Sequence, residues 1–205
     1  MSRDDYLTIL EPGYAQTRVL GSRFLATAMP VTHEEEIEQH LAAERKRYHD
    51  ATHWCFAARF APETVTVERA SDAGEPKGTA GMPILRELQC RELFDSLVIV
   101  TRYFGGTKLG TGNLARAYAE CAGQALDSAV ITRRRILSHL VVQCPYDLQA
   151  VIYHVAQKFQ AIVEPAPSES QAAFQLAVPV SLATHLSAAL TEESRGRIQI
   201  RVENS

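Results

Sequence analysis

The sequence predicts an α+β protein of two small domains. Its 205 residues exceed the usual size of one domain and suffice for two. Stretches with strand-like alternation and stretches with helical spacing follow one another along the chain. The basic run Thr132-Arg133-Arg134-Arg135 then separates a longer N-terminal part from a C-terminal part with the regular order βαββαβ. The expected division is an N-terminal extension at 1–14, a first domain at 15–131, a linker at 132–135 and a second domain at 136–205.

Hydrophobic residues make up 46% and charged residues 22%, ordinary for a globular protein with a core. The formal net charge of −3 excludes a generic polyanion binder, so any nucleic-acid surface must be a local patch. Cys55, Cys90, Cys121 and Cys144 lie far apart inside apolar stretches and form no C-x-x-C pair. Four buried, reduced thiols are expected, with neither structural zinc nor thioredoxin-like chemistry. The first residues hold no apolar signal core, and no apolar stretch reaches the roughly 18 residues of a membrane span. A cytoplasmic location is expected.

In the first domain, Thr17 to Met29 reads as a strand or bent hairpin arm ended by Pro30. Thr32 and Glu35 have capping-box spacing and predict a helix to about His49. Its acidic start and basic end, Arg45-Lys46-Arg47, complement the helix dipole. His53 to Phe60 and Val65 to Arg69 read as strands joined at Pro62-Glu63. Ser71 to Gly81 is a turn-rich loop, and a helix follows Pro83 with Leu85, Leu88 and Leu93 toward the core. The run Leu97-Val98-Ile99-Val100 marks a strand to Phe104. Glycine-rich residues 105–112 then feed a helix over 113–129, where Leu114, Ala117, Tyr118, Cys121 and Ala125 form one buried stripe.

In the second domain, a strand over Ile136–Gln143 precedes a helix opened by Asp147 and running to about Phe159. Strands over Ala161–Glu164 and Ala172–Val180 flank Pro165-Ala166-Pro167-Ser168. Ser181 is placed as the cap of a second helix, and Gly196 turns into a last strand carrying Ile198, Ile200 and Val202. That order is the one of a ferredoxin-like, split-βαβ domain.

The unusual chemistry lies between Ser71 and Asn113. The second loop brings Arg102, Gly105, Gly106, Lys108, Gly110, Thr111, Gly112 and Asn113 between a strand and a helix N-terminus. Backbone N–H groups there, with the positive end of the helix dipole, suit an anion such as phosphate. Two familiar motifs fail. Gly110-Thr111-Gly112-Asn113-Leu114-Ala115 has G-x-G-x-x-A spacing, but no strand-end acid follows, and Thr111 stands where a P-loop needs lysine. In the first loop Asp72, Glu75 and Lys77 cluster beside Thr79; two carboxylates alone do not make a metal site. His53 and Cys55 share a face of one strand, which reads as a structural histidine beside a buried thiol in preference to a catalytic dyad. No catalytic, metal or cofactor site is expected.

Residues 71–83, SDAGEPKGTAGMP, and Arg102-Tyr103-Phe104-Gly105-Gly106 with Leu109-Gly110-Thr111-Gly112 resemble the motifs of the IMPACT (YigZ-like) family. Ser22-Arg23-Phe24, His53 and Ala57 fit the same pattern. The resemblance spans nearly the whole chain. It implies a first domain like domain 2 of ribosomal protein S5 and a second like the last domain of elongation factor G. It also implies a link to translation, since eukaryotic relatives act on its initiation by competing for the scaffold that activates the kinase of initiation factor 2α. Those relatives carry a further partner-binding domain for which this chain has no room, so that mechanism is not expected to transfer whole. Ala73 replaces a second acid common in the family, Gly21 replaces a lysine, and Lys108 adds a charge at a position often apolar.

The function expected is that of a non-enzymatic regulatory protein, monomeric or weakly self-associating. Its partner would be RNA, the ribosome or a translation factor, contacted through loops 71–83 and 102–113. Arg133, Arg134 and Arg135, together with His53, Asp72, Glu75, Lys77 and Thr79, are the further contact candidates. The alternative is a small-molecule phosphate- or nucleotide-binding enzyme using the loop before the 113–129 helix.

Overall fold

The computed structural model describes residues 4–60, 66–168 and 171–203. The expected turn at Pro62-Glu63, and Val65 in the strand after it, lie outside the described residues. Two compact units are formed. One is Tyr6–Arg134; the other joins Asp4 and Asp5 to the residues from Arg135 onward.

The first unit is built on an antiparallel five-stranded sheet. Its strands are β2 (Gly13–Val19), β3 (Ser22–Pro30), β4 (His53–Phe60), β5 (Val67–Ser71) and β6 (Ser96–Tyr103), in the order β2-β3-β6-β4-β5. Helix α1 (Glu36–Arg47) covers one face, and α2 (Gly81–Cys90) with α3 (Thr111–Ser128) covers the other. The unbroken apolar run of β6 follows from this. Val98 and Val100 pack toward α2 and α3, Leu97 and Ile99 toward α1, so neither face of the central strand meets water.

Within the expected N-terminal extension, residues 5–11 form β1 (Asp5–Glu11) and residues 13–14 begin β2. Ile9 is 1% exposed in the core, and the Phe94 N–H donates to Leu7 O at 2.8 Å. The expected linker is also a strand, β7 (Val130–Arg135), paired with β1. Backbone pairing holds this two-stranded ribbon, so its arginines stay exposed. At the start of α1 the reaching acid is Glu36, whose Oε1 accepts from the N–H groups of Thr32 and His33; Glu35 sits at the N-cap without a side-chain bond.

In the second unit β8 (Leu137–Cys144), α4 (Gln149–Lys158), β9 (Ile162–Ala166), β10 (Ala172–Pro179), α5 (Val180–Glu193) and β11 (Gln199–Glu203) follow one another. The antiparallel sheet order is β11-β8-β10-β9. Leu140, Val142, Phe174, Leu176 and Val178 face the helices, while His139 and Gln175 on the opposite face are exposed. Three local expectations change. Asp147 lies in a 3₁₀ turn (Tyr146–Leu148) that precedes α4. Ser181 lies inside α5, whose N-cap is Pro179, so it caps nothing. Pro165 lies within β9, an edge strand that tolerates a missing N–H donor.

Candidate functional site

The first glycine-rich loop is organised by Asp72. Its Oδ1 accepts the N–H groups of Ala80 and Gly81, both at 2.9 Å, and its Oδ2 accepts that of Gly78 at 2.7 Å. Burial pushes this carboxyl up, but the three N–H donors outweigh it and hold its pKa below the ordinary value. Asp72 therefore shapes the loop and secures the start of α2, and its oxygens are not left for a metal. Replacing it by Asn is expected to cost about 1.5–3 kcal/mol, the worth of hydrogen bonds to a charged group. Because the folded pKa is depressed, the stabilisation is present above the unfolded value near 3.9 and is lost as pH falls through the folded one. Urea titrations of the two proteins should thus converge below about pH 4; a constant gap down to lower pH would contradict this role.

Glu75, three residues on, turns inward. Its side chain is 4% exposed and that of Arg102 is 5% exposed; Arg102 Nη1 donates to Glu75 Oε1 at 2.6 Å. The Tyr118 hydroxyl donates to the same oxygen at 2.7 Å. Arg102 Nη2 donates to Ser22 Oγ at 3.2 Å, and the Gly105 N–H donates to that same Oγ at 3.2 Å. The Arg102 guanidinium also lies 5.4 Å from the Phe24 ring centroid and 5.5 Å from that of Phe104. One donor is left over: Arg102 Nε is buried with no acceptor.

His53 and Cys55 do lie on one face of β4, but they serve loop 71–81 and not each other. His53 Nδ1 donates to Ala73 O at 2.9 Å, which turns Nε2 toward Glu75 Oε1 at 3.9 Å. The Cys55 thiol donates to Asp72 O at 3.0 Å and lies 3.3 Å from the Tyr118 hydroxyl. Burial pushes this thiol up to about 12, so no thiolate nucleophile exists near neutral pH. Burial raises the Tyr118 phenol as well. Cys121 and Cys144 are buried, whereas Cys90 is exposed at the end of α2, contrary to expectation.

Between the two loops lies a pocket of about 370 Å³. His53, Glu75, Arg102, Lys108, Gly110 and Thr111 line it, with Phe104 at its rim. Helix α3 opens into this pocket. Its N-cap, Gly110, has φ +75° and makes no side-chain cap bond, so the first-turn amides have no capping side chain. Gly112 has ordinary φ and nothing within 4 Å of a would-be Cβ, so packing does not explain a glycine there. Asn113 donates through Nδ2 to Leu109 O and is engaged in the helix start.

The sequence-selected residues therefore divide. His53, Glu75, Arg102, Lys108, Gly110 and Thr111 converge on the pocket. Gly105 packs on Gly21, Thr79 donates to Pro76 O, and Lys77 is exposed. Arg133, Arg134 and Arg135 lie on β7 and do not line it. Ser22, Phe104 and Tyr118 complete the site; the signal for Tyr118 was a phenol inside an otherwise apolar helical stripe. Among the described residues no group of three or more His, Cys, Asp or Glu side chains could hold a metal.

Comparison with known proteins places the chain in a family. Residues 20–126 match the Impact N-terminal domain. The chain is 30% identical over 196 residues to the IMPACT family member YvyE of Bacillus subtilis, covering 96% of this chain and 90% of that one. It is 31% identical over 204 residues to an IMPACT family member of Haemophilus influenzae, covering 97% of each. A crystal structure described as that of a hypothetical protein aligns with a TM-score of 0.72 at 27% identity, covering 98% of both chains. No helix among the described residues is long and apolar enough to cross a membrane.

Proposed function

The chain belongs to the IMPACT family, and from that premise we propose that it is a non-enzymatic binding protein of translation that takes an RNA phosphate into the pocket at the start of α3. The family resemblance supplies the translational setting. The observation that carries the site is the uncapped α3 N-terminus beside Lys108 and a buried Arg102 with one unpaired donor. Oriented amides and a helix dipole favour an anion there. The neighbouring groups argue against chemistry: the thiol and the phenol are held protonated, and Glu75 is engaged by Arg102 and Tyr118. In the same reading the Tyr6–Arg134 unit is the S5-domain-2-like domain, and the four-stranded unit, with strand order β11-β8-β10-β9, is the ferredoxin-like one resembling the last domain of elongation factor G.

Co-sedimentation with ribosomes tests the reading. The protein should be retained at low salt and released as salt rises, because bound phosphates release counterions. Lys108→Ala, an exposed site, should flatten the slope of log K against log salt by about one unit. No retention at low salt, or an unchanged slope, would count against it. A second reading, a small-molecule phosphate enzyme, draws on the pocket volume, which falls in the range of about 300–1,000 Å³ typical of ligand sites. It requires a nucleotide or sugar phosphate to stabilise the fold, by about 2.7 kcal/mol at a hundred times its Kd.

A further inference from the structure

The end of the five-stranded sheet that carries the anion pocket has basic and aromatic groups on both of its faces. Cross-strand pairing places Thr17, Phe24, Arg102 and His53 in one row and Arg18, Arg23 and Tyr103 in the next. Successive residues of a strand point to opposite faces. Arg102 therefore turns toward the pocket, while Arg18, Arg23 and Tyr103 line a second groove, of about 500 Å³, on the other face with Leu20 and Gly21.

The fold engages this row only in part: the Tyr103 hydroxyl donates to Asp50 Oδ1 at 2.7 Å and, with Arg23 nearby, holds that carboxyl below its ordinary pKa. Arg18 and Arg23 stand directly opposite each other on β2 and β3, an arrangement of like charges that destabilises a sheet. None of the salt bridges found among the described residues involves either of them. The Arg23 guanidinium lies over the Tyr103 ring, its central carbon 4.2 Å from the ring centre. Leu20 and Phe104 are exposed by 60% and 47%. The two openings are close: Gly21 of the groove touches Gly105, which adjoins Phe104 at the pocket rim.

We infer that this end of the sheet binds single-stranded RNA, with one phosphate in the pocket at α3 and neighbouring bases stacked on Phe104 and on the Arg23 guanidinium. The inference rests on the anion pocket proposed above and adds the strandedness and the base contacts. Unpaired bases stack on aromatic rings and guanidinium planes, and every base offers such a face. A single strand can turn over the narrow rim between two faces of a sheet. A duplex presents stacked, paired bases and cannot place them on Phe104.

Fluorescence anisotropy with the full chain and a labelled RNA of about 12 nucleotides, within the usual span of single-strand sites, tests this. The RNA is offered as a single strand and as a blunt duplex with its complement. Single strand should bind about tenfold tighter or more. Phe104→Ala, and Phe104→Leu, which keeps apolar bulk without a π face, should each weaken it about tenfold and leave the salt slope unaltered. Arg18→Gln should lower that slope by about one. Equal binding of duplex and single strand, or Phe104 variants that bind as the parent does, overturns the inference; a persisting effect of Lys108→Ala then leaves the anion pocket standing. Retention on ribosomes without any binding of naked RNA also overturns it and assigns the anion to a protein. Loss of both kinds of binding overturns this inference and the reading beneath it together.

Discussion

Arg102→Ala and Glu75→Ala are each expected to lower the unfolding free energy by about 3–5 kcal/mol, the cost of leaving one buried charge without its partner. Both side chains are almost fully buried and 2.6 Å apart, so neither can recover its lost contact from water. The surroundings raise the stakes unequally. Without Arg102, Glu75 keeps the Tyr118 hydroxyl and His53 Nε2 at 3.9 Å; without Glu75, Arg102 keeps Ser22 Oγ and the Phe24 and Phe104 rings but no counter-charge, and already has one unpaired donor. Replacing both together, Arg102→Met with Glu75→Leu, should recover most of the loss, because apolar side chains of similar volume remove both desolvation penalties. Urea denaturation of the four proteins at two salt concentrations checks this. The single losses should barely respond to salt, unlike those of surface pairs. A loss below about 1 kcal/mol for either single variant would place the pair among surface ion pairs.

This pair also changes how the proposed anion site would work. From the sequence, Arg102 read as a free cation for phosphate. In the fold its charge is balanced in place by Glu75 and its Nε is buried, so its contribution to the pocket reduces to the stiffness of the wall. Lys108 is the exposed cation of the pocket lining. In the proposed site, selectivity for an anion would then rest mainly on the oriented amides of α3, which need no counter-charge to hold them in place.

What could be read in advance follows a physical pattern. The stripe Leu114, Ala117, Tyr118, Cys121 and Ala125 is buried as its spacing demands, because a helix against a sheet writes its buried face into its sequence. The order of elements from Leu137 to Glu203 was legible for the same reason. Strands β1 and β7 were not. They bond mainly through the backbone, and a run such as Arg133-Arg134-Arg135 carries no mark of burial because little of it is buried. The Glu36 cap was hidden among three consecutive acids, any of which could reach back to Thr32. The Arg102–Glu75 contact joins residues 27 apart through two loops, and no local spacing rule encodes such a contact. Asp72 and Glu75 looked alike on paper; only the path of the loop makes one an acceptor of amides and the other a counter-ion.

Gly105→Ala is expected to be the most damaging of the loop glycine changes, at or above the upper end of the roughly 1–3 kcal/mol that overpacking costs. A Cβ there would fall 1.9 Å from Gly21 C, 2.2 Å from Ser22 N and 2.3 Å from Gly21 O. All three are backbone atoms, so relief cannot come from rotating a side chain; the two segments must part. Parting them pulls the Gly105 N–H from Ser22 Oγ, which also accepts from Arg102, and so loosens the wall of the pocket as well. The glycines downstream behave differently. Gly106 has φ +85° in open space, so Ala there meets backbone strain of about 1 kcal/mol and no clash. Gly112, in the first turn of α3 with ordinary φ and open surroundings, should gain about 0.5–1 kcal/mol on change to Ala. Thermal and urea unfolding of the three variants should rank them in that order, Gly105→Ala lowest and Gly112→Ala above the parent. If Gly105→Ala unfolds with Gly106→Ala, the backbone of β3 does not press on the loop as described. If Gly112→Ala gains stability yet weakens RNA binding, then the missing side chain at 112 serves the ligand, since within the fold it serves nothing.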